Sequence, residues 1–294
     1  LMTYGWAILI ISVVLGALFQ LGVFNANNFA PKAPPGSCQV FRPYGPGTTQ
    51  FITLEGICSG ELPQYVASTT GGSGAYGSIP NPGFNYSESL WFNIPPYSTS
   101  SWYPLTDIYN ASVNGGNGGG QNYDYGGLWV NSGKICLLME NWPNSVQLSI
   151  CGSQIVSSNN WYFVAISGNW ISENLYVNGV QVASGSISSS AIAQAKSTFT
   201  KPTISFYTNP PGGFEKAEAG TLLANVQLYN TSLSPSEIQA LYQEGIGGAP
   251  IDLQHLVGWW PLNGDANDYS GNGNNGVPTN VIFVSNWWQG YTPP

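Results

Sequence analysis

From residue 89 onward the chain is cut into short aromatic and aliphatic runs bounded by Gly, Asn, Ser or Pro, and this punctuation most limits its fold. The runs are SLWFNI (89 to 94), GLWV (127 to 130), KICLLM (134 to 139), VQLSIC (146 to 151), WYFVAIS (161 to 167), TISFYT (203 to 208) and LLANVQLY (222 to 229). Each is shorter than an ordinary helix and rich in residues that suit a pleated, half-buried surface. Many such strands with turn signals between them build a two-sheet antiparallel sandwich or jelly roll.

Two local signals are sharper. In NLYVNGVQVAS, Asn178-Gly179 separates alternating runs and fits a two-residue type I′ turn, which needs positive φ at both positions. SLSPSEIQALYQEG reads as one short helix. Ser234 is its N-cap, Pro235 its first residue, Glu237 the return arm of a capping box and Gly245 its stop. Leu233 can staple to Ile238, and Leu241 and Tyr242 extend an apolar face toward the sandwich. By contrast NASVNGGNGGGQNYDYGG, 110 to 127, reads as a long Gly-rich loop and not as a phosphate cradle, since no strand and helix flank it.

With 294 residues and 43% hydrophobic content there is room for one large or two ordinary domains with a packed core. Only 7% of residues are charged, where soluble domains average about 25%. Six scattered Lys and Arg against fourteen Asp and Glu give a net charge of −8, which excludes a nucleic-acid partner. A surface that relies little on carboxylates also loses little when acid protonates them, so an acidic or otherwise harsh extracellular setting is expected.

Four cysteines point outside the cell. Cys136 and Cys151 lie symmetrically about a turn at Asn141 to Ser145, so an antiparallel hairpin would face their sulfurs. Cys38 and Cys58 flank the turn-rich RPYGPGTTQ. The expected disulfides are Cys38–Cys58 and Cys136–Cys151; the alternatives are the other connectivities or free buried thiols. Three sequons, at Asn85, Asn110 and Asn230, are compatible with surface glycosylation.

Residues 1 to 24, LMTYGWAILIISVVLGALFQLGVF, carry no charge. As a helix they span about 36 Å, enough for a hydrocarbon core of about 30 Å. A signal peptide would show a basic n-region and a small-residue cleavage site, and neither is present. The Leu-Met start reads as already processed. A lone anchor normally carries a cytoplasmic Lys or Arg, whereas Ser12 and Gly16 at small-xxx-small spacing, with Gly5, Ala17 and Gly22, permit close helix approach. NANNFAPKAPPGS, 25 to 37, is a linker. The fold class is thus mainly β: a long apolar helix, a linker, and a sandwich over 38 to 294 with one short helix.

WYFVAISGNWISENLYVNGVQVASGS closely resembles the central hairpins of laminin-G-like, concanavalin-A-like jelly rolls, and LLANVQLYNTSLSPSEIQALYQEG resembles their last strand and following helix. The resemblance spans roughly 50 to 290. It implies an extracellular domain that binds glycans or proteins or acts as a spacer. LVGWWPLNGDANDYSGNGNNGVPTNVIF, 256 to 283, looks like the stretch with which such domains begin, yet it follows the closing helix. Circular permutation within one domain is the favoured account, with 256–294 supplying strands. A truncated second domain, or a tail completing a neighbouring subunit's sheet, are the alternatives.

The apolar segment resembles the N-terminal helix of archaeal type IV pilin-like proteins in length, lack of charge and Gly and aromatic content. That resemblance implies a homopolymer built through Tyr4, Trp6, Ile10, Val13, Gly16, Leu18, Leu21 and Phe24, membrane-inserted before assembly. Bacterial type IV pilins typically carry Glu at the fifth position, where Gly5 stands here. The leading expectation is an adhesive filament subunit, and the alternative is a monomeric membrane-anchored lectin-like protein.

Catalytic signals are sparse. Glycosidases of this fold use the spacing Glu-x-Asp-x-x-Glu, which is absent, and Glu88, Asp124, Glu140 and Glu173 read as isolated acids in turns or loops. His255, the single histidine, has no supporting nucleophile motif, and a non-enzymatic protein is expected. Asp265, Asn267, Asp268 and Ser270 offer closely spaced oxygens for Ca²⁺, against a plain turn bonded to its own backbone. No other cofactor is indicated. Trp259-Trp260 and Trp287-Trp288 cannot both point inward in a strand, and an outward ring could stack on a glycan.

Overall fold

A computed structural model describes residues 37–41, 50–53, 62–71, 76–78, 83, 85–98, 101–110, 123–142, 145–169, 171–186, 202–206 and 217–294. The apolar segment 1 to 24, linker residues 25 to 36 and Cys58 lie outside the described residues. Among the described residues no helix is long and apolar enough to cross a membrane.

β1 (Ser37–Phe41), β2 (Gln50–Thr53) and β3 (Leu62–Pro63) form a small sheet in the order β2-β1-β3. There follow β4 (Val66–Thr69), β5 (Tyr76–Ser78), β6 (Tyr86–Asn93), β7 (Trp102–Asn110), β8 (Tyr123–Asn131), β9 (Lys134–Trp142) and β10 (Ser145–Ile155). After these come β11 (Trp161–Gly168), β12 (Ser172–Val177), β13 (Val180–Ser186), β14 (Pro202–Phe206), β15 (Leu222–Tyr229), helix α1 (Pro235–Gln243), β16 (Leu256–Trp260) and β17 (Val281–Val284). One sheet runs β10-β9-β8-β7-β14-β5. The other runs β13-β12-β11-β6-β15-β4-β17, with β16 also on β15. Every pairing within these two sheets is antiparallel. Together they make the two layers of a sandwich.

The second sheet is covered on both faces, and every residue of β6 and β11 is buried. Leu90, Phe92, Val164 and Ile166 meet the six-stranded sheet. Trp91, Phe163 and Ala165 point the opposite way, into a second core closed by Leu233, Ile238 and Leu241 of the helix region and by Trp287 and Tyr291. Burial on two faces explains why residues 161 to 166 run apolar without alternation: Phe163, Val164 and Ile166 each contribute about 1.5–3 kcal/mol. Along one side, β10 lies over β13, since a Cβ at Gly185 would strike Ile150 and Leu148.

The helix starts as its sequence dictates. The Ser234 side chain accepts from the Glu237 N–H, and the Glu237 carboxylate accepts from the Ser234 N–H at 2.7 Å. Gly245 ends it with φ 79°. Asn178 and Gly179 take φ 49° and 77° between β12 and β13, and Asn178 Oδ1 accepts from the Phe163 N–H.

Two expectations need correcting. The Gly-rich run expected as a loop over 110 to 127 gives residue 110 to β7 and 123–127 to β8, which β9 holds from Trp142 to Leu138. Gly127 suits that strand because a Cβ would lie 2.0 Å from Thr106 O. β7 is absent from the sequence reading because Pro104 interrupts it; the proline sits at a register shift between Pro104 and Thr106, where a missing N–H is tolerated.

The 256–294 tail is built into its own chain. β16 pairs with β15 from Val226↔Trp260 onward, and β17 pairs with β4 from Val281↔Thr69 to Phe283↔Ala67 and Val284↔Val66. β4 and β16 follow one another along the same edge of β15, on either side of Asn225, whose φ of 51° marks the irregularity.

Candidate functional site

β16 turns Trp259 and Trp260 to opposite faces. Trp260 is fully buried between the sheets, its Nε1–H donating to Asn274 O at 2.9 Å and its ring edge-on to Phe206. Trp259 faces outward, half-buried, and its Nε1–H donates to Asn225 Oδ1 at 2.8 Å. Beneath it runs a ladder of alternate β15 side chains. The Gln227 amide donates to Asn225 Oδ1, the Asn225 amide donates to Gly248 O, and the Tyr229 hydroxyl donates to Gln227 Oε1 at 2.6 Å. Burial pushes the Tyr229 hydroxyl well above the usual phenol range.

Tyr269 stands against Trp259 with ring centroids 6.4 Å apart and planes at 68°, and 46% of it is exposed. Its N–H donates to Trp259 O at 2.7 Å and its hydroxyl to Asp265 Oδ2 at 3.0 Å. Asp265 also accepts from the backbone and side-chain amides of Asn267. Asp268 accepts three backbone N–H groups, from Trp259, Ser270 and Asn274. The run NGDANDYSGNGNN is thus a turn stitched by its own side chains, and it fixes Tyr269 over Trp259 as an aromatic ledge flanked by amide and carboxylate groups.

The structure brings Asp265, Asn267, Asp268 and Ser270 together, yet Asp265 and Asp268 already accept donors within the turn. Among the described residues no three His, Cys, Asp or Glu converge as metal ligands. Trp287, like Trp260, is buried, its Nε1–H on Pro63 O, while Trp288 is half-buried. Tyr269 escaped the sequence reading; its signal was an aromatic residue inside a turn of Asp, Asn and Gly.

The other singled-out residues disperse. Cys136 and Cys151 face each other in the β9–β10 register and form a disulfide, while the Cys38–Cys58 pairing lies outside the described residues. Asn85 and Asn230 are exposed at the same end of β6 and β15, where Ser87 pairs with Tyr229; the Asn110 side chain lies outside the described residues. His255 pairs with Asp252 at 2.7 Å on the surface. Burial pushes that carboxyl up, and its hydrogen bonds with His255 outweigh this, leaving it below the ordinary value.

None of the four acids expected in turns or loops stands there: Asp124 and Glu140 belong to β8 and β9, and Glu88 and Glu173 are strand residues of β6 and β12, both fully buried. Their strands extend beyond the apolar runs that marked them, so each acid is carried inside by its neighbours. On the outer face of the six-stranded sheet, Trp129 Nε1–H donates to the buried Asp107 at 2.9 Å, with Trp102 edge-on at 6.0 Å.

Comparison with known proteins agrees with this architecture. The laminin G family described as "Concanavalin A-like lectin/glucanases superfamily" matches residues 70–239. A heptameric pentraxin from Limulus polyphemus is similar at 12% identity and a TM-score of 0.51, over 76% of this chain and 96% of its own. A putative carbohydrate binding protein from Bacteroides ovatus is similar at 11% identity and a TM-score of 0.49, over 80% and 66%. No curated protein matches the chain. The family match stops before β16 and β17, yet those strands complete the same sheet. The chain belongs to the concanavalin A-like lectin/glucanases superfamily.

Proposed function

We propose that this protein is a non-enzymatic, lectin-like subunit of an extracellular filament, whose sandwich takes neutral glycans at the Trp259–Tyr269 ledge. The observation that carries the glycan reading is the exposed Tyr269 ring, held rigid by Asp265 and by the Trp259 carbonyl. A preformed aromatic surface beside fixed polar groups suits a sugar, which offers an apolar C–H face and a rim of hydroxyls. Asp265 and Asp268 at the ledge, and a net charge of −8, favour neutral sugars over anionic ones. Superfamily membership supports the same reading.

The filament reading draws on residues 1 to 24, uncharged throughout and with small residues for close helix packing. The helix would sit in the membrane first and then exchange lipid for neighbouring helices of a type IV pilus-like core. Burial at about 25 cal/mol/Å² makes such a polymer effectively irreversible in water. The sandwiches would decorate its outside through the linker.

A glycan array probed with the full chain tests the first claim: binding confined to neutral oligosaccharides is expected, and no binding, or binding only to anionic ones, overturns it. Electron microscopy of assembled material tests the second. A helical reconstruction with 1 to 24 on the axis is expected, and extraction by mild detergent as a monodisperse monomer favours the membrane-anchored alternative.

A further inference from the structure

Between the two sheets, at one end of the core, lies a polar cluster that the glycan ledge does not use. Glu88, Tyr86, Thr106 and Glu173 are all 0–1% exposed. In β6, Tyr86 and Glu88 share the face of Leu90 and Phe92, and Glu88 is paired laterally with Ile166 and Leu228, both apolar. Thr106 reaches the cluster from β7 in the opposite sheet, and Glu173 enters from β12, its carboxylate against Gly168. The Thr106 hydroxyl is the one donor beside the Glu88 carboxyl, and no hydrogen bond of good geometry reaches either oxygen. Lys134, half-buried at the start of β9, is the one Lys or Arg among the described residues, so no described cation answers the acid.

A buried carboxylate with one weak donor and no counter-charge among the described residues is costly, and a protonated carboxyl is far less so. The Tyr86 phenol lies within reach of both carboxyls: burial first, then negative charge on Glu173 and on Glu88, holds its proton. Asp107, next to Thr106, points to the other face of its sheet, toward Trp129.

We propose that Glu88 is a proton-held latch between the two sheets: with its proton the sandwich is tight, and loss of that proton loosens the packing of β6 against β7. Burial raises the Glu88 carboxyl to about 7, with the Thr106 hydroxyl pulling weakly the other way. The sign follows. Below the unfolded value of 4.5 both states hold the proton and stability is full. Between 4.5 and about 7 only the folded state keeps it, so stability falls as pH rises. From well below that window to well above it the unfolding equilibrium constant rises by about 300-fold. The latch suits a protein whose sparse surface charge already expects acid, and it does not depend on glycan binding.

The test compares thermal unfolding of the full chain and of Glu88→Gln from pH 4 to pH 8.5. The native protein is expected to lose melting temperature between pH 4.5 and 7.5, and Glu88→Gln, a neutral isostere of the protonated acid, to lose markedly less. A native midpoint flat across this range, or an equal fall in both proteins, overturns the proposal. Infrared spectroscopy of the unmutated chain keeps the test open if Glu88→Gln does not fold. A protonated-carboxyl band persisting at pH 6 and vanishing by pH 8 supports the latch, and its absence at pH 6 refutes it.

Discussion

The indole N–H of Trp259 reaches Asn225 Oδ1 at 2.8 Å, tying β16 to the one residue of β15 that bends into positive φ. Asn225 serves Trp259 and Gln227 as acceptor and Gly248 as donor, while its left-handed backbone lets β4 and β16 share one edge. Asn225→Ala takes the partner of the Trp259 indole N–H, leaves the Gln227 amide and the Gly248 carbonyl only their 3.3 Å bond to each other, and strains the backbone. A loss of about 2–4 kcal/mol is expected in urea unfolding, whereas a loss below about 0.5 kcal/mol would mean the ladder is dispensable.

Adjacent tryptophans should respond differently. Trp260→Ala empties a site at 0% exposure between the sheets and is expected to cost about 3–5 kcal/mol. Trp259→Ala, half-buried, should cost less and yet reduce glycan affinity. Denaturant midpoints and binding isotherms on the same two variants separate the roles.

This difference also shows where sequence reasoning reached and where it stopped. Alternation required one ring of each Trp pair to point away, and β16 obeys; which ring, and what it meets, depends on a tail that pairs 30 or so residues from its neighbours in sequence. The hairpin at Asn178-Gly179 and the cap at Ser234 were legible because each is settled within four residues. Strand ends were not, since Tyr86 to Glu88 and Tyr123 to Gly127 are strand only through partners elsewhere in the chain. Hence two buried acids passed for loop residues, and Tyr269 gained its meaning only once its turn was folded onto Trp259.

The Cys136–Cys151 bond closes a loop of 15 residues on β9 and β10. Replacing both cysteines with serine is expected to lower stability by about 3 kcal/mol without changing the sheet order, as read by thermal unfolding and circular dichroism. No change would show that the hairpin pairing alone holds these strands.

Cap and core helix probe different links. Ser234→Ala removes one arm of the capping box and is expected to cost about 1 kcal/mol. Gly16→Lys places a charge in the apolar segment, where assembly needs close apolar packing. Filaments should vanish by electron microscopy while the sandwich keeps its melting temperature; filaments that persist would remove the segment from the core.

Glycan recognition by the ledge is the claim on which the account turns. Titration calorimetry of the native chain and of Tyr269→Ala, with the neutral oligosaccharide that binds best on the array, measures it directly. Because Tyr269 is 46% exposed, its truncation should leave folding within about 0.5 kcal/mol while weakening binding by about tenfold or more, equal to about 1.4 kcal/mol. Unchanged affinity in a folded Tyr269→Ala protein would contradict the assignment.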